Sequence, residues 1–370
     1  MKTYKRKLII KIISLIAILV ILSTVYSQNK SEPQNKSESQ KSEYEYKIFN
    51  LKEYLYNNLK ISQEDYKFIS VKQNYQGEVI YFLQLYKAKG MLLVYYDFNT
   101  NVSGYRIIPE IKSFNTTSFN PKREILINSL AMGNKFYYIS PKVKIHSFES
   151  PSYNLSEPLP GKDYFYWIGY KYDKNKRTDR KLHLFRYKYN NVENFDISEI
   201  KNNFDKNGYK ILDLKLINDN LFLNVLNKNK NYEIFQYNLI SKEMKNIFSS
   251  KFIIFDPNPS TDDLIFLEEK DKVINVFKFR IIDEEKEKIL SVNLDKTVYN
   301  FYCLENKSDK FLVLFNLVEN KEEKIFRNVV LEGNNKIFEN IFEAPANVYS
   351  FRNKFGIFYI YEEGLAEVKK

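Results

Sequence analysis

Apolar residues in this chain come in short runs broken by polar turns. The clearest case runs Ile234-Phe235-Gln236-Tyr237-Asn238-Leu239-Ile240-Ser241-Lys242-Glu243-Met244-Lys245-Asn246-Ile247-Phe248. It reads as strand, tight polar turn, strand. Similar runs are Val79–Leu83, Met91–Tyr96, Tyr105–Ile108, Leu182–Tyr187, Val276–Phe279, Phe311–Phe315 and Phe355–Tyr359. Only the stretch from Tyr44 to Ile61, with Leu51, Leu55 and Leu59 four apart, predicts a short amphipathic helix.

The runs recur at a fixed spacing. Phe119-Asn120-Pro121 precedes Ile125-Leu126-Ile127, and Phe255-Asp256-Pro257 precedes Leu264–Leu267; the two prolines are 136 residues apart. At the intermediate steps stand Pro160-Gly161-Lys162-Asp163 before Tyr164–Trp167, and Asp219-Asn220 before Leu221–Leu223. A period of roughly 40–45 residues is that of propeller blades, each a meander of four short strands. The fold expected is therefore all-β: a β-propeller of about seven (six to eight) four-stranded blades. The units fall near 66–111, 112–150, 160–200, 208–249, 250–293, 297–332 and 333–368. An irregular β-sandwich or a pair of β domains is the competing reading, because short strands at even spacing look alike in each.

The unit 252–292 resembles a blade of TolB-like β-propellers. In that family an apolar strand ends in Phe-x-Pro-Asp-Gly, and a second strand and a strand–turn–strand hairpin follow. Phe255, Pro257, Leu264–Leu267 and Val276–Phe279 keep that order, while Pro257-Asn258-Pro259-Ser260-Thr261 replaces the family's tight glycine turn. The resemblance implies the fold and carries no catalytic residue.

The N-terminus has a different pattern. Lys2, Lys5, Arg6 and Lys7 precede Leu8-Ile9-Ile10, Lys11 and an apolar run from Ile12 to Leu22. This predicts a signal anchor or signal peptide over 1–27, with cleavage after Ser27 as the alternative to a retained transmembrane helix. Either way the positive-inside rule sends the rest of the chain out of the cytoplasm. The protein is then membrane-anchored with its C-terminal domain extracytoplasmic, or secreted or periplasmic. Residues 28–43 repeat Asn-Lys-Ser-Glu and hold no apolar residue to bury, so they read as a low-complexity linker to a domain spanning 44–370.

Composition narrows the chemistry. Phe and Tyr supply 29 and 30 of the 370 residues, which favours strands. Five of the net +11 charges lie in residues 1–27, and interspersed lysines and glutamates over the remainder do not make a nucleic-acid footprint. Cys303 is the sole cysteine, so no disulfide forms within the chain. With two histidines, His146 and His183, and no Gly-x-Ser-x-Gly elbow, no catalytic triad is suggested. No metal or phosphate motif occurs, so no cofactor is expected.

Two features remain as candidate contacts. In Tyr164-Phe165-Tyr166-Trp167, alternation sends half of the rings into the core; packing between adjacent sheets is the favoured use of the rest, with Tyr166 and Trp167 as the candidates to stack on a sugar or peptide. The run 171–181 is the densest basic segment and reads first as a solvated hairpin loop, with Lys176, Arg177 and Arg180 as the alternative contacts to an anionic partner. The function expected is a binding or scaffold module for a protein or peptide partner. The alternative is an envelope glycan hydrolase using paired carboxylates, or a carbohydrate-binding protein without turnover.

Overall fold

The computed structural model describes residues 45–368, apart from 75–77, 87–89, 98–99, 115, 130–134, 143, 150–151, 155, 172–180, 189, 257, 260, 306–310, 323–324, 344–348, 354–355 and 362–363. The expected export segment and linker lie outside the described residues. Among those described, no helix is long and apolar enough to cross a membrane.

Seven antiparallel sheets follow one another along the chain. A lone strand β1 (Glu45–Asn50) precedes them. The first sheet is β2 (Tyr66–Gln73), β3 (Glu78–Leu85), β4 (Gly90–Asp97) and β5 (Val102–Ile108). The second is β6 (Thr116–Phe119), β7 (Ile125–Ser129), β8 (Lys135–Ile139) and β9 (Ile145–Glu149). The third has two short strands, β10 (Ser152–Asn154) and β11 (Leu159–Pro160), both along β12 (Phe165–Lys171), then β13 (Leu182–Lys188) and β14 (Asn191–Asp196). The fourth is β15 (Lys210–Ile217), β16 (Asn220–Leu226), β17 (Tyr232–Asn238) and β18 (Met244–Ser250). The fifth is β19 (Ile253–Phe255), β20 (Leu264–Lys270), β21 (Val273–Phe279) and β22 (Lys286–Asn293). The sixth is β23 (Val298–Glu305), β24 (Phe311–Asn320), β25 (Ile325–Glu332) and β26 (Asn335–Glu343). The last three strands are β27 (Tyr349–Asn353), β28 (Gly356–Tyr361) and β29 (Gly364–Val368), and β1 completes their sheet by pairing with β29. Joining the two ends of the chain in one sheet removes the open edge that a row of seven meanders would otherwise leave.

Alternation along each central strand assigns one set of side chains to each neighbouring sheet. On β16, Leu221, Leu223 and Val225 pack toward the third sheet, while Phe222 packs toward the fifth. On β20, Leu264 and Phe266 face the fourth sheet and Ile265 and Leu267 the sixth. Both faces of each such sheet are thus buried, so its central strands are apolar throughout and not apolar on one side only. The fourth strands alternate exposed and half-buried positions, as in β5, β14 and β22. They form the outer rim. First strands approach one another: Ser70 on β2 and Thr117 on β6 share a hydrogen bond of 2.6 Å.

The outer strands show how closely the repeats match. Pairing slips by one residue between β17 and β18, between β21 and β22, and between β25 and β26. The residues skipped are Ile247, Ile289 and Ile337, each one before Phe248, Leu290 and Phe338. A bulge at one place in three successive sheets marks equivalent units and increases strand twist there.

Three boundaries differ from those the sequence suggests. Residues 45–50 form β1 and not the start of a helix; helix α1 (Leu51–Leu59) begins after it, with the Asn50 side chain accepting from the Glu53 amide at 3.2 Å. The sixth unit runs on through β26 to Glu343, so the seventh is three strands plus β1. A second helix, α2 (Ser198–Asn207), follows the third sheet, buries Ile200 and Phe204, and ends at Gly208 with φ 72°.

Gly90 starts β4 with φ +103°, and a Cβ placed on it would lie 2.5 Å from the Ile108 carbonyl oxygen. Neither the backbone region nor the space admits a side chain. Gly90→Ala is expected to cost about 1–3 kcal/mol, read as a lower urea midpoint with an unchanged slope.

Candidate functional site

In the second through fifth sheets, the turns joining first to second strands lie at one end of the ring, because the meanders run in the same sense. Short polar side chains shape them. Asn120 accepts from the amides of Lys122 and Glu124, both at 3.0 Å, and Arg123 takes a left-handed φ of 65°. Asn74 plays the same part in the first sheet, accepting from the Glu78 amide at 3.1 Å. In the third sheet the Gly161 amide closes its turn on the Tyr164 carbonyl at 2.8 Å. In the fifth, the Asp256 carboxylate accepts from the Asn258 amide at 3.4 Å.

Four of these turns, from the second through the fifth sheets, enclose a cavity of about 380 Å³. Tyr164, Tyr166, Leu216 and Phe255 supply its apolar walls, and Lys122, Lys162, Asp163, Lys188 and Asp262 its charged mouth. At the mouth, Asp163 lies 3.4 Å from Lys122 and 3.1 Å from Lys188, and Lys162 reaches Asp262 at 2.6 Å. That last pair links the third sheet to the fifth across the fourth. Ion pairs this exposed are worth about 0–1 kcal/mol each, so an arriving ligand separates them at little cost.

The floor is made by Asp213 and Lys215, two apart on β15, and by Asp256, which follows β19. Asp256 is 0% exposed and Lys215 only 7%. The Lys215 ammonium donates to the Asp256 main-chain carbonyl at 3.0 Å and to Thr261 Oγ1 at 3.3 Å. One Asp256 carboxylate oxygen, Oδ2, is buried without a hydrogen-bond partner.

Burial dominates the proton affinities here. Loss of water pushes the Asp256 carboxyl up to about 6, against the opposing Lys215 charge and the amides of Asn258 and Cys303. The same desolvation draws Lys215 down. Asp213 keeps surface open to the cavity, yet the walls around it remove enough bulk water to raise its carboxyl as well. Asp163 goes the other way: desolvation raises it, but Lys188 and Lys122 together hold it below the usual carboxylate range.

The residues singled out in the sequence are placed as follows. Tyr166 lines the cavity wall, although only 4% exposed. Trp167, pointing the opposite way, is 0% exposed and lies between Phe136 at 4.8 Å and Phe185 at 5.6 Å, measured between ring centroids. Its ring faces are filled by protein, which is the favoured packing use and leaves no face for the alternative ligand contact. Lys176, Arg177 and Arg180 lie outside the described residues, as does Pro257. His183 is buried beside Phe185, its ring nitrogens make no hydrogen bond, and desolvation lowers its pKa. His146 is exposed. Asp213, Lys215 and Asp163 were not anticipated. In Leu212-Asp213-Leu214-Lys215-Leu216 the alternation did put both charges on one face, without indicating what that face meets.

No protein-family model and no curated protein matches the sequence. Solved structures do. The uncharacterised protein lmo1340 from Listeria monocytogenes EGD-e superposes with a TM-score of 0.52 at 11% identity, covering 84% of this chain and 96% of that one. The β-propeller domain of the Trilobed protease from Pyrococcus furiosus, described as having an open velcro topology, gives 0.50 at 11% identity, covering 82% and 90%. An acylaminoacyl peptidase from Pyrococcus horikoshii gives 0.48 at 9% identity; 83% of this chain spans about half (53%) of that one. The first two comparisons, with the sheet order, establish a β-propeller.

Proposed function

We propose that this chain is an extracytoplasmic binding module, held at or exported across a membrane by its N-terminal segment, whose propeller mouth takes a segment of a protein or peptide partner. The cavity among four first-to-second-strand turns carries this reading. It is concave, has apolar walls, and has polar groups at fixed positions, the features of sites that bind. The blade phrase at Phe255–Leu267 supports a finer placement among TolB-like propellers.

Photo-crosslinking in intact cells tests the reading. A photoreactive residue at Lys162 on the mouth is expected to capture a discrete partner. The same residue at Lys228, in the exposed turn between β16 and β17 at the other end of the ring, is expected to capture none. Equal capture at both positions, or none at Lys162, counts against the mouth as the binding surface.

A second reading is favoured by one observation: Asp213 and Asp256 line the same cavity, and both have raised proton affinity. A glycan hydrolase needs such a pair, one carboxyl held protonated as general acid. Under this reading, reducing ends released from envelope glycan should disappear in Asp213→Asn. If the unaltered protein releases none, hydrolysis is eliminated and binding is untouched.

A further inference from the structure

Resting on the binding-module reading, we propose that the cavity receives a primary ammonium group, from a lysine side chain or the free N-terminus of a peptide, seated against Asp213. Lys122 and Lys188 share Asp163, Lys162 meets Asp262, and Lys215 is held by the Asp256 carbonyl and Thr261. Every lysine around the cavity thus has an acceptor. Asp213 differs: its one hydrogen bond comes from the Leu214 amide, to Oδ1 at 2.7 Å, and it makes no ion pair among the described residues. A second carboxylate lines the same cavity: Asp256 is fully buried and has Oδ2 unpartnered, and Lys215 acts on both aspartates.

The resulting field is dipolar. Two lysines on one aspartate leave the mouth positive on that side, while two aspartates against Lys215 leave the floor negative. An anion driven to the floor meets like charge, and a neutral group would cover the exposed Asp213 carboxylate without compensating its charge. A cation satisfies it. Oδ1 already accepts from the Leu214 amide, so a guanidinium fork would have to share that oxygen, whereas a compact ammonium with three rotatable donors matches Oδ2 alone. The mouth then favours a carbonyl or carboxylate further along the same ligand, opposite Lys122 and Lys188.

Calorimetry on the full chain tests this with four blocked tripeptide probes. Acetyl-Ala-Lys-Ala-amide offers a side-chain ammonium and Ala-Ala-Ala-amide a free α-amine. Acetyl-Ala-Ala-Ala-amide is neutral and acetyl-Ala-Glu-Ala-amide acidic. One or both amine peptides should bind; which of them does identifies the source. Asp213→Asn should weaken that binding about 30-fold, as loss of a partly desolvated charge partner does. Lys228→Gln, in a turn at the far end, should leave it unchanged. Affinity should fall on acidification as Asp213 takes up its proton, at a pH above the ordinary carboxylate range because burial raises its pKa. Asp213→Ser serves as a second variant, and the melting temperature of each variant verifies that it is folded.

Equal or tighter binding of the neutral or acidic peptide overturns the ammonium assignment. So does unchanged affinity in folded Asp213→Asn, or no heat from either amine peptide. If any of these occurs while Lys162 still cross-links a partner, the ammonium fails and the binding reading survives. If the cross-link is absent as well, both fail.

Discussion

Lys215→Met is expected to destabilise the protein by about 3–5 kcal/mol near pH 7.5 and by much less near pH 5, the range found when a buried charge loses its partner. The ammonium removed is the donor to the Asp256 carbonyl and the positive charge that opposes the rise of a carboxyl with no exposed surface. Methionine fills similar volume, so the packing change is small. What remains is an uncompensated acid. In the unaltered protein burial already pushes Asp256 up to about 6 from the ordinary aspartate value, and Lys215 opposes that rise. Without Lys215 the folded-state value climbs further. Between the unfolded and folded values the native state holds a proton that the unfolded chain has released, so this group's contribution to stability falls as pH rises through that window and is flat above it. The variant's deficit should therefore be greatest above the folded value and shrink on acidification. Urea midpoints at the two pH values measure it. Adding Asp256→Asn to Lys215→Met removes the lone charge and should restore much of the loss near pH 7.5. A deficit that does not change with pH would mean that Lys215 acts through packing alone.

The fold was legible where the information is local. The hairpin over Ile234–Phe248 follows from short-range rules, and the repeat of the Asn120 phrase at Asp256 from a simple period; each corresponds to an observed element. Residues 45–50 were misread because their partner is more than 300 residues away: Glu45 pairs with Val368, and nothing in the local pattern announces it. The leucines of α1 extended the helical signal backwards over a strand. The cavity was illegible for a similar reason. Asp213, Lys215 and Asp256 sit on the first strand of the fourth sheet and just past that of the fifth, and Asp163 on a turn of the third. They converge only when the ring forms. An amphipathic strand such as Leu212–Leu216 presents its charges to water in most folds, and the enclosed mouth, not the strand, makes these charges unusual. Tyr166 and Trp167 show the same limit at single-residue scale. Alternation required them to point opposite ways, but whether either side held a cavity depended on the neighbouring sheets.

Trp167→Ala should produce a loss of similar size by another route, about 3–5 kcal/mol. The indole is one of the largest fully buried side chains and stands at the centre of the contact between the second and third sheets. Phe136 and Phe185 flank it, and Phe136 in turn stacks on Phe148, which stacks on Tyr187 at 4.7 Å. Truncation opens a cavity that this aromatic layer is too rigid to fill, since each ring is held by the next. Trp167→Phe keeps most of the volume and should cost much less. Ile240→Ala, at a side chain 73% exposed in the β17–β18 turn, should stay within about 0.5 kcal/mol of the unaltered protein. Unlike Lys215→Met, the Trp167→Ala deficit should persist near pH 5 and near pH 7.5 alike, because what is lost is packing and not a charge partner. Binding provides the second readout. A ring confined to the contact between sheets contributes nothing to a ligand at the mouth, so folded Trp167→Ala should bind the amine peptides as the unaltered protein does. Near-normal stability with lost binding would instead place the indole against the ligand.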